Sequence, residues 1–150
     1  LSERSSSSGL DTEMQVFETT VESDREMILL VEDDMNTRRL LRTVLEQANY
    51  VVVDTNTGEE ALDLASGLLP AAIILDVYLP DVSGWDVLQM LKQNNETAII
   101  PVIVCTADED RIPEDEVYPS YYLRKPATPE ALLNKVDQAL RALKQVKVDV

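Results

Sequence analysis

Five short apolar runs punctuate this chain, each closed by polar residues, and between them apolar positions recur three and four residues apart. Met27-Ile28-Leu29-Leu30-Val31 runs into three acids, Glu32-Asp33-Asp34. Tyr50-Val51-Val52-Val53 is the second run, and Ala71 to Leu75, closed by Asp76, is the third. Ile99 to Cys105 ends in Thr106, and Tyr121-Tyr122-Leu123-Arg124 precedes Lys125-Pro126. Continuous apolar runs of this length, without alternation, predict strands buried on both faces.

The intervening stretches read as helices. Leu40, Leu41, Val44, Leu45 and Ala48 share one face of the first, with Arg38, Arg39 and Arg42 elsewhere on it. Thr57-Gly58-Glu59-Glu60 has the form of a capping box and opens a helix through Ala61, Leu62 and Ala65 to a stop at Gly67. Ser83-Gly84-Trp85-Asp86 resembles another N-terminal cap, leading into Val87, Leu88 and Leu91. Asp108 to Ser120 is acidic and broken by Pro113 and Pro119, so any helix there is short. Thr128-Pro129-Glu130 starts the last helix with a capping hydroxyl and proline at its first position. Leu132, Val136, Leu140 and Leu143 form its apolar stripe, and it is expected to end near Leu143.

Strands alternating with helices require crossover connections, which predicts an α/β fold with a doubly wound parallel sheet and helices on both faces. Right-handed crossovers place every strand end on one edge. The expected folded part is 27–145, preceded by a flexible, acidic, Ser-rich linker over 1–26 and followed by a tail over 146–150. The chain begins at Leu1 rather than methionine, which predicts a piece of a longer protein with a domain upstream.

Composition narrows the chemistry. The chain has 150 residues, a formal net charge of −15 and no histidine. Such an acidic balance argues against direct binding to nucleic acid or to an anionic membrane. Without histidine there is no Ser-His-Asp triad, no imidazole ligand and no imidazole base, so carboxylates, hydroxyls and lysine must carry any chemistry. Cys105 is the only cysteine, which excludes an intrachain disulfide and makes it a buried small hydrophobe. With no secretory signal and no apolar run long enough to span a bilayer, the expected location is the cytoplasm.

The strand ends gather Glu32, Asp33, Asp76, Thr106 and Lys125 on one edge, the edge where open α/β sheets bind ligands. Three carboxylates in one cleft repel one another unless a cation sits among them, and oxygen ligands favour a hard divalent ion such as Mg²⁺ or Mn²⁺. A carboxylate beside such an ion can attack phosphorus, giving an aspartyl phosphate. A lysine and a hydroxyl then suit the remaining phosphoryl oxygens.

Leu30-Val31-Glu32-Asp33-Asp34, Ile74 to Gly84, Val102 to Ala107 and Tyr122 to Pro126 together resemble the receiver domain of two-component response regulators, from about Met27 to Leu143. The resemblance implies a CheY-like, five-stranded sheet of order 2-1-3-4-5. It also implies that Asp76 is the phosphoacceptor, charged from a phosphohistidine on a sensor histidine kinase or a histidine phosphotransfer protein. Glu32, Asp33, Asp76 and the Tyr78 backbone carbonyl would hold Mg²⁺, with Asp33 the more direct of the first two. Lys125 would pair with Asp76 and then with the phosphate. Thr106 and Tyr122 would act as the switch. Tyr78 and Asp108 match positions that tune hydrolysis of the aspartyl phosphate.

The chain departs from the family between Thr106 and Lys125, which is short and carries two prolines. That predicts a fourth helix that is shortened, displaced or absent, on the face where many family members dimerise. The implied function is a phosphoacceptor that catalyses its own phosphorylation and dephosphorylation, as in the C-terminal receiver of a hybrid sensor kinase. The second reading is a receiver-like interaction module that signals without phosphorylation, and the third is an Mg²⁺-dependent phosphohydrolase or a nucleotide-binding enzyme of similar fold. The third lacks both a Gly-rich phosphate loop and a second acid two residues after Asp76.

Overall fold

The computed structural model describes residues 24–107 and 119–149. The predicted linker before Asp24, the predicted short helix and Asp108 therefore lie outside the described residues. Five parallel strands form the sheet: β1 (Met27–Val31), β2 (Val51–Thr55), β3 (Ala72–Asp76), β4 (Val102–Thr106) and β5 (Tyr121–Arg124). Their order is β2-β1-β3-β4-β5, which is the predicted 2-1-3-4-5. The described helices are α1 (Met35–Gln47), α2 (Gly58–Leu68), α3 (Gly84–Gln93) and α4 (Pro129–Asp149).

The apolar runs are continuous because both faces of the sheet are covered. On one face Ile28, Leu30, Ile74, Ile103, Cys105 and Leu123 pack under α1 and α4, against Leu41, Leu45, Leu132, Val136 and Leu140. On the other, Leu29, Val31, Ile73, Leu75, Val102 and Val104 pack under α2 and α3, against Ala61, Ala65, Val87, Leu88 and Leu91. Successive residues of each strand thus serve opposite layers.

Several boundaries differ from those read in the sequence. Leu40 is 56% exposed and Ala48 is the exposed C-cap, so the buried face of α1 is narrower than its apolar pattern. Gly67 lies within α2, which continues through Leu68 and exits at Leu69 with φ 48°. Pro70 explains that stop, since it has no N–H to donate and disfavours a helical predecessor. β2 extends to Asp54 and Thr55 because β1 pairs with it as far as Val31. β4 begins only at Val102, after Pro101, while Lys92 Nζ donates 3.0 Å bonds to the carbonyls of Ala98 and Ile100 in the preceding loop. The last helix passes Leu143 and runs to Asp149.

The predicted caps are present. Thr57 accepts from Glu60 N–H at 3.3 Å, but the Glu60 carboxylate meets the Thr55 hydroxyl instead of completing the capping box. Ser83 accepts from Trp85 N–H and Thr128 from Ala131 N–H. Asp34 caps α1, accepting from Thr37 N–H at 2.8 Å and from its hydroxyl at 2.7 Å. No helix among the described residues is long and apolar enough to cross a membrane.

Cys105 lies in the core as expected, and burial pushes its thiol up to about 12. Only the thiolate is nucleophilic, so a thiol raised this far is a poor nucleophile at pH 8. Maleimide labelling of the native chain is expected to be slow and to become fast in denaturant. Rapid labelling without unfolding would contradict this burial.

Candidate functional site

The carboxyl ends of β1, β3 and β4 and the residue after β5 deliver Glu32, Asp76, Thr106 and Lys125 to one place. β1, β3 and β4 are buried up to their last residues, and the polar group at the end of each is buried as well. Glu32 is 2% exposed, Asp76 4% and Thr106 3%. Lys125 Nζ reaches between the two acids, 3.0 Å from Asp76 Oδ1 and 3.3 Å from Glu32 Oε1. Its own N–H donates to the carbonyl of Thr106 at 3.1 Å, continuing the β4–β5 ladder one residue further. The peptide bond between Lys125 and Pro126 is cis.

Asp76 Oδ1 also accepts from Tyr78 N–H at 3.2 Å. The loop beyond β3 is narrow: Tyr78 and Ser83 form an isolated antiparallel bridge, and Gly84 N–H donates to the carbonyl of Val77 at 2.8 Å. A Cβ on Gly84 would press against the Asp76 carbonyl oxygen and lie 2.8 Å from Val77 Cα. Glycine is required here by the close approach of two backbones. A cleft of about 490 Å³ opens beside this loop, lined by residues 77–83, Trp85 and Thr106. Tyr122 is partly buried with its hydroxyl inside, and its ring lies 6.4 Å from that of Trp85 at 56°.

Electrostatically the site is short of positive charge. Burial, followed by the contact with Asp76, raises the Glu32 carboxyl above its ordinary range. Burial works against the charge on Lys125, but Asp76 and Glu32 outweigh it and raise the ammonium above its usual value. One lysine therefore serves two buried acids. Among the described residues no group of three or more acidic or cysteine side chains is arranged to hold a metal ion. Glu32 and Asp76 meet at Lys125, while Asp33, next in the acidic run, is exposed. The third acid of the run, Asp34, caps a helix.

Three features were missed in the sequence. Asp81, in the loop after β3, accepts from Gly58 N–H and Glu59 N–H, each at 2.9 Å, and so ties that loop to the start of α2. These bonds hold its carboxyl below the usual range. Gly84 carried a signal only as part of a cap, not as a packing requirement. The helical pattern puts Arg38 merely off the apolar face, yet it donates to the backbone of the acidic loop. Only a tertiary structure brings these partners together.

Comparison with known proteins agrees with this fold. The sequence model of the response regulator receiver domain matches residues 28–137. The protein named "Probable transcriptional regulator ycf27" from Porphyra purpurea is 31% identical over 130 residues, covering 87% of this chain and 54% of that protein. The polar-differentiation response regulator DivK of Brucella anthropi is 41% identical over 90 residues, covering 57% of this chain and 73% of DivK. The chain spans about half the length of the ycf27 relatives it matches. The receiver domain of a sensor histidine kinase from Pseudomonas aeruginosa, crystallised with a magnesium ion in its active site cleft, superposes with a TM-score of 0.73 at 24% identity. That superposition covers 77% of this chain and 98% of the other.

Proposed function

Because this chain belongs to the response regulator receiver family of two-component signalling, we propose that Asp76 is its phosphoacceptor and that phosphorylation there is its signal. The observation that carries this reading is the Lys125 ammonium shared by two buried carboxylates at the end of β3. A lysine so placed holds the Asp76 carboxylate by an ion pair at the end of β3, where it can attack phosphorus. The phosphodonor is a phosphohistidine on a sensor histidine kinase or a histidine phosphotransfer protein. An Asp76 oxygen forms a bond to phosphorus as the bond from phosphorus to the imidazole nitrogen breaks, and the imidazole departs with that electron pair.

The donor set suits a hard divalent cation, Mg²⁺ or Mn²⁺. Glu32 and Asp76 are buried oxygen donors with one lysine between them, and an ion with several water ligands needs only one or two carboxylates. Glu32, Asp33, Asp76 and the Tyr78 carbonyl would hold it, and when bound it supplies charge neutralisation to the phosphoryl oxygens. Lys125 moves from the carboxylate to a phosphoryl oxygen. The Thr106 hydroxyl, on the wall of the adjoining cleft, donates to another. Tyr122, partly buried beside Trp85, follows the space that Thr106 vacates, which makes β4 and β5 the element that the new charge biases.

The test is incubation with Mg²⁺ and acetyl phosphate followed by intact mass, with Asp76→Asn alongside. A phosphoryl-sized gain that requires Mg²⁺ and is absent in the variant is expected. If neither acetyl phosphate nor beryllofluoride, followed by Trp85 fluorescence, leaves a mark on the wild-type chain, the domain signals as an interaction module instead.

A further inference from the structure

Arg38 stands where helix physics alone would not put it. It lies in the first turn of α1, at the positive end of the helix dipole, where a cation is disfavoured. Its side chain is nevertheless only 19% exposed. Nη1 donates to the carbonyl of Glu32 at 2.9 Å and approaches that of Asp33 at 3.4 Å. Nε lies 3.9 Å from Asp54 Oδ1, and the other Asp54 oxygen accepts from Arg42 Nη1 at 2.7 Å. Asp54 is on β2, opposite Leu30 in the ladder. One carboxylate thus holds two arginines of α1, and the inner one reaches across the acidic loop.

Glu32 is tied on every side by this arrangement. Its N–H donates to the Thr55 carbonyl at 3.0 Å, its carbonyl accepts from Arg38, and its Oε2 accepts from Asp34 N–H at 3.0 Å. Fixing a carbonyl fixes its peptide plane, and with it the direction in which the flanking side chains leave the backbone.

We propose that Arg38, held by Asp54, is a positioning residue that sets the Glu32–Asp33 peptide so that these acids face a divalent cation and Lys125. The proposal rests on the phosphoacceptor reading for its purpose, though not for its geometry. Lysine cannot replace this arginine, because one ammonium cannot reproduce the guanidinium fork that spans a carbonyl and a carboxylate.

The test uses the full chain and three variants, Arg38→Ala, Arg38→Lys and Asp54→Asn, well below their unfolding temperatures. Mg²⁺ affinity is read by calorimetry, and the loop by amide exchange at Asp34. Loss of an orienting partner typically weakens metal binding about 10–100-fold. Arg38→Ala is expected to weaken Mg²⁺ binding by that factor and to accelerate exchange at Asp34, while Tyr78 N–H keeps its protection. Saturating Mg²⁺ should restore most of the acetyl phosphate labelling rate, so that the defect appears in the metal requirement. Arg38→Lys should not rescue Mg²⁺ affinity, and Asp54→Asn should fall between it and wild type. Wild-type Mg²⁺ affinity and Asp34 protection in Arg38→Ala, with only a lower Tm, would overturn the proposal. If the wild-type chain binds no Mg²⁺, the phosphoacceptor reading is what fails. Exchange at Asp34 then decides the positioning role alone: faster sustains it, unchanged overturns it. Should Arg38→Ala not fold, the other two variants carry the same readouts.

Discussion

Replacing Lys125 by methionine is expected to destabilise the metal-free domain by about 2–3 kcal/mol at neutral pH, and to do so less at pH 5. Removing one member of a buried ion pair costs about 3–5 kcal/mol, because the partner charge is left uncompensated. Two acids are left here, but Lys125 is 29% exposed, so solvent already screens part of the interaction and brings the cost to the bottom of that range or just below it. The pH dependence follows from the two shifts. The Glu32 carboxyl is raised in the folded state, so its contribution favours folding below its ordinary range and is lost as pH rises through the folded value. The Lys125 ammonium is also raised, so its contribution is present throughout the neutral range and would be lost only in strong alkali. Without the lysine, Glu32 rises further, and its ionisation beside Asp76 then works against the fold. The Tm gap between wild type and Lys125→Met should therefore widen from pH 5 to pH 7.5. Mg²⁺ should narrow it again, by replacing the missing positive charge between the acids. Thermal denaturation at both pH values, with and without Mg²⁺, reads all of this. A gap that does not depend on pH would mean that Lys125 contributes packing rather than charge.

The parts of this structure that were legible in the sequence share one property: their physical cause lies within a few residues of chain. A strand buried on both faces must be apolar throughout, so Ile28–Val31, Ile73–Leu75 and Val102–Cys105 declare themselves. The cap at Thr57 and the Thr128-Pro129 start depend on residues within three positions. Alternation of strand and helix then limits the topology to a few parallel arrangements, and the polar residues at the strand ends fall on one edge. The rest depends on which of several available partners, near or far in the chain, a side chain takes. Glu60 leaves its capping box for Thr55, and Asp81 caps a helix 23 residues earlier in the chain. Asp33 and Asp34 look alike beside Glu32, yet one is exposed and the other is spent on Thr37 N–H. Leu40 has the spacing of a core residue, but the α1 face that meets the sheet is filled by Leu41 and Leu45. Asp76 and Lys125 stand 49 positions apart, and nothing in either local segment requires them to touch. What connected them in the sequence was chemistry, since a buried acid and a lysine at strand ends are difficult to explain separately.

Gly84→Ala should be the most damaging single-methyl change in the domain. A Cβ there would meet the carbonyl oxygen of Asp76, with Val77 Cα at 2.8 Å and the Asp76 carbonyl carbon at 3.0 Å. All three are backbone atoms at the end of β3, so no side-chain rotation can make room. Either α3 lifts from the sheet, losing contacts of Val87 and Leu88, or the end of β3 moves and takes the Asp76 carboxylate from Lys125. Overpacking of this kind costs about 1–3 kcal/mol, and a displacement of about 1 Å at a reacting group can slow a reaction about 100-fold. The expected result is a lower Tm together with a loss of labelling at Asp76 of about that size. Gly58→Ala separates the two effects. Its Cβ would meet Val82 Cγ2 and, at 2.7 Å, Val87 Cγ2, which are side-chain methyls on the α2–α3 side of the sheet rather than backbone beside Asp76. It should lower Tm while leaving the labelling rate within a few-fold of wild type. If both variants lost labelling in proportion to their loss of stability, close approach at Gly84 would matter to the fold alone. If Gly84→Ala lost labelling well beyond its loss of Tm, the glycine would be part of what holds the phosphoacceptor in place.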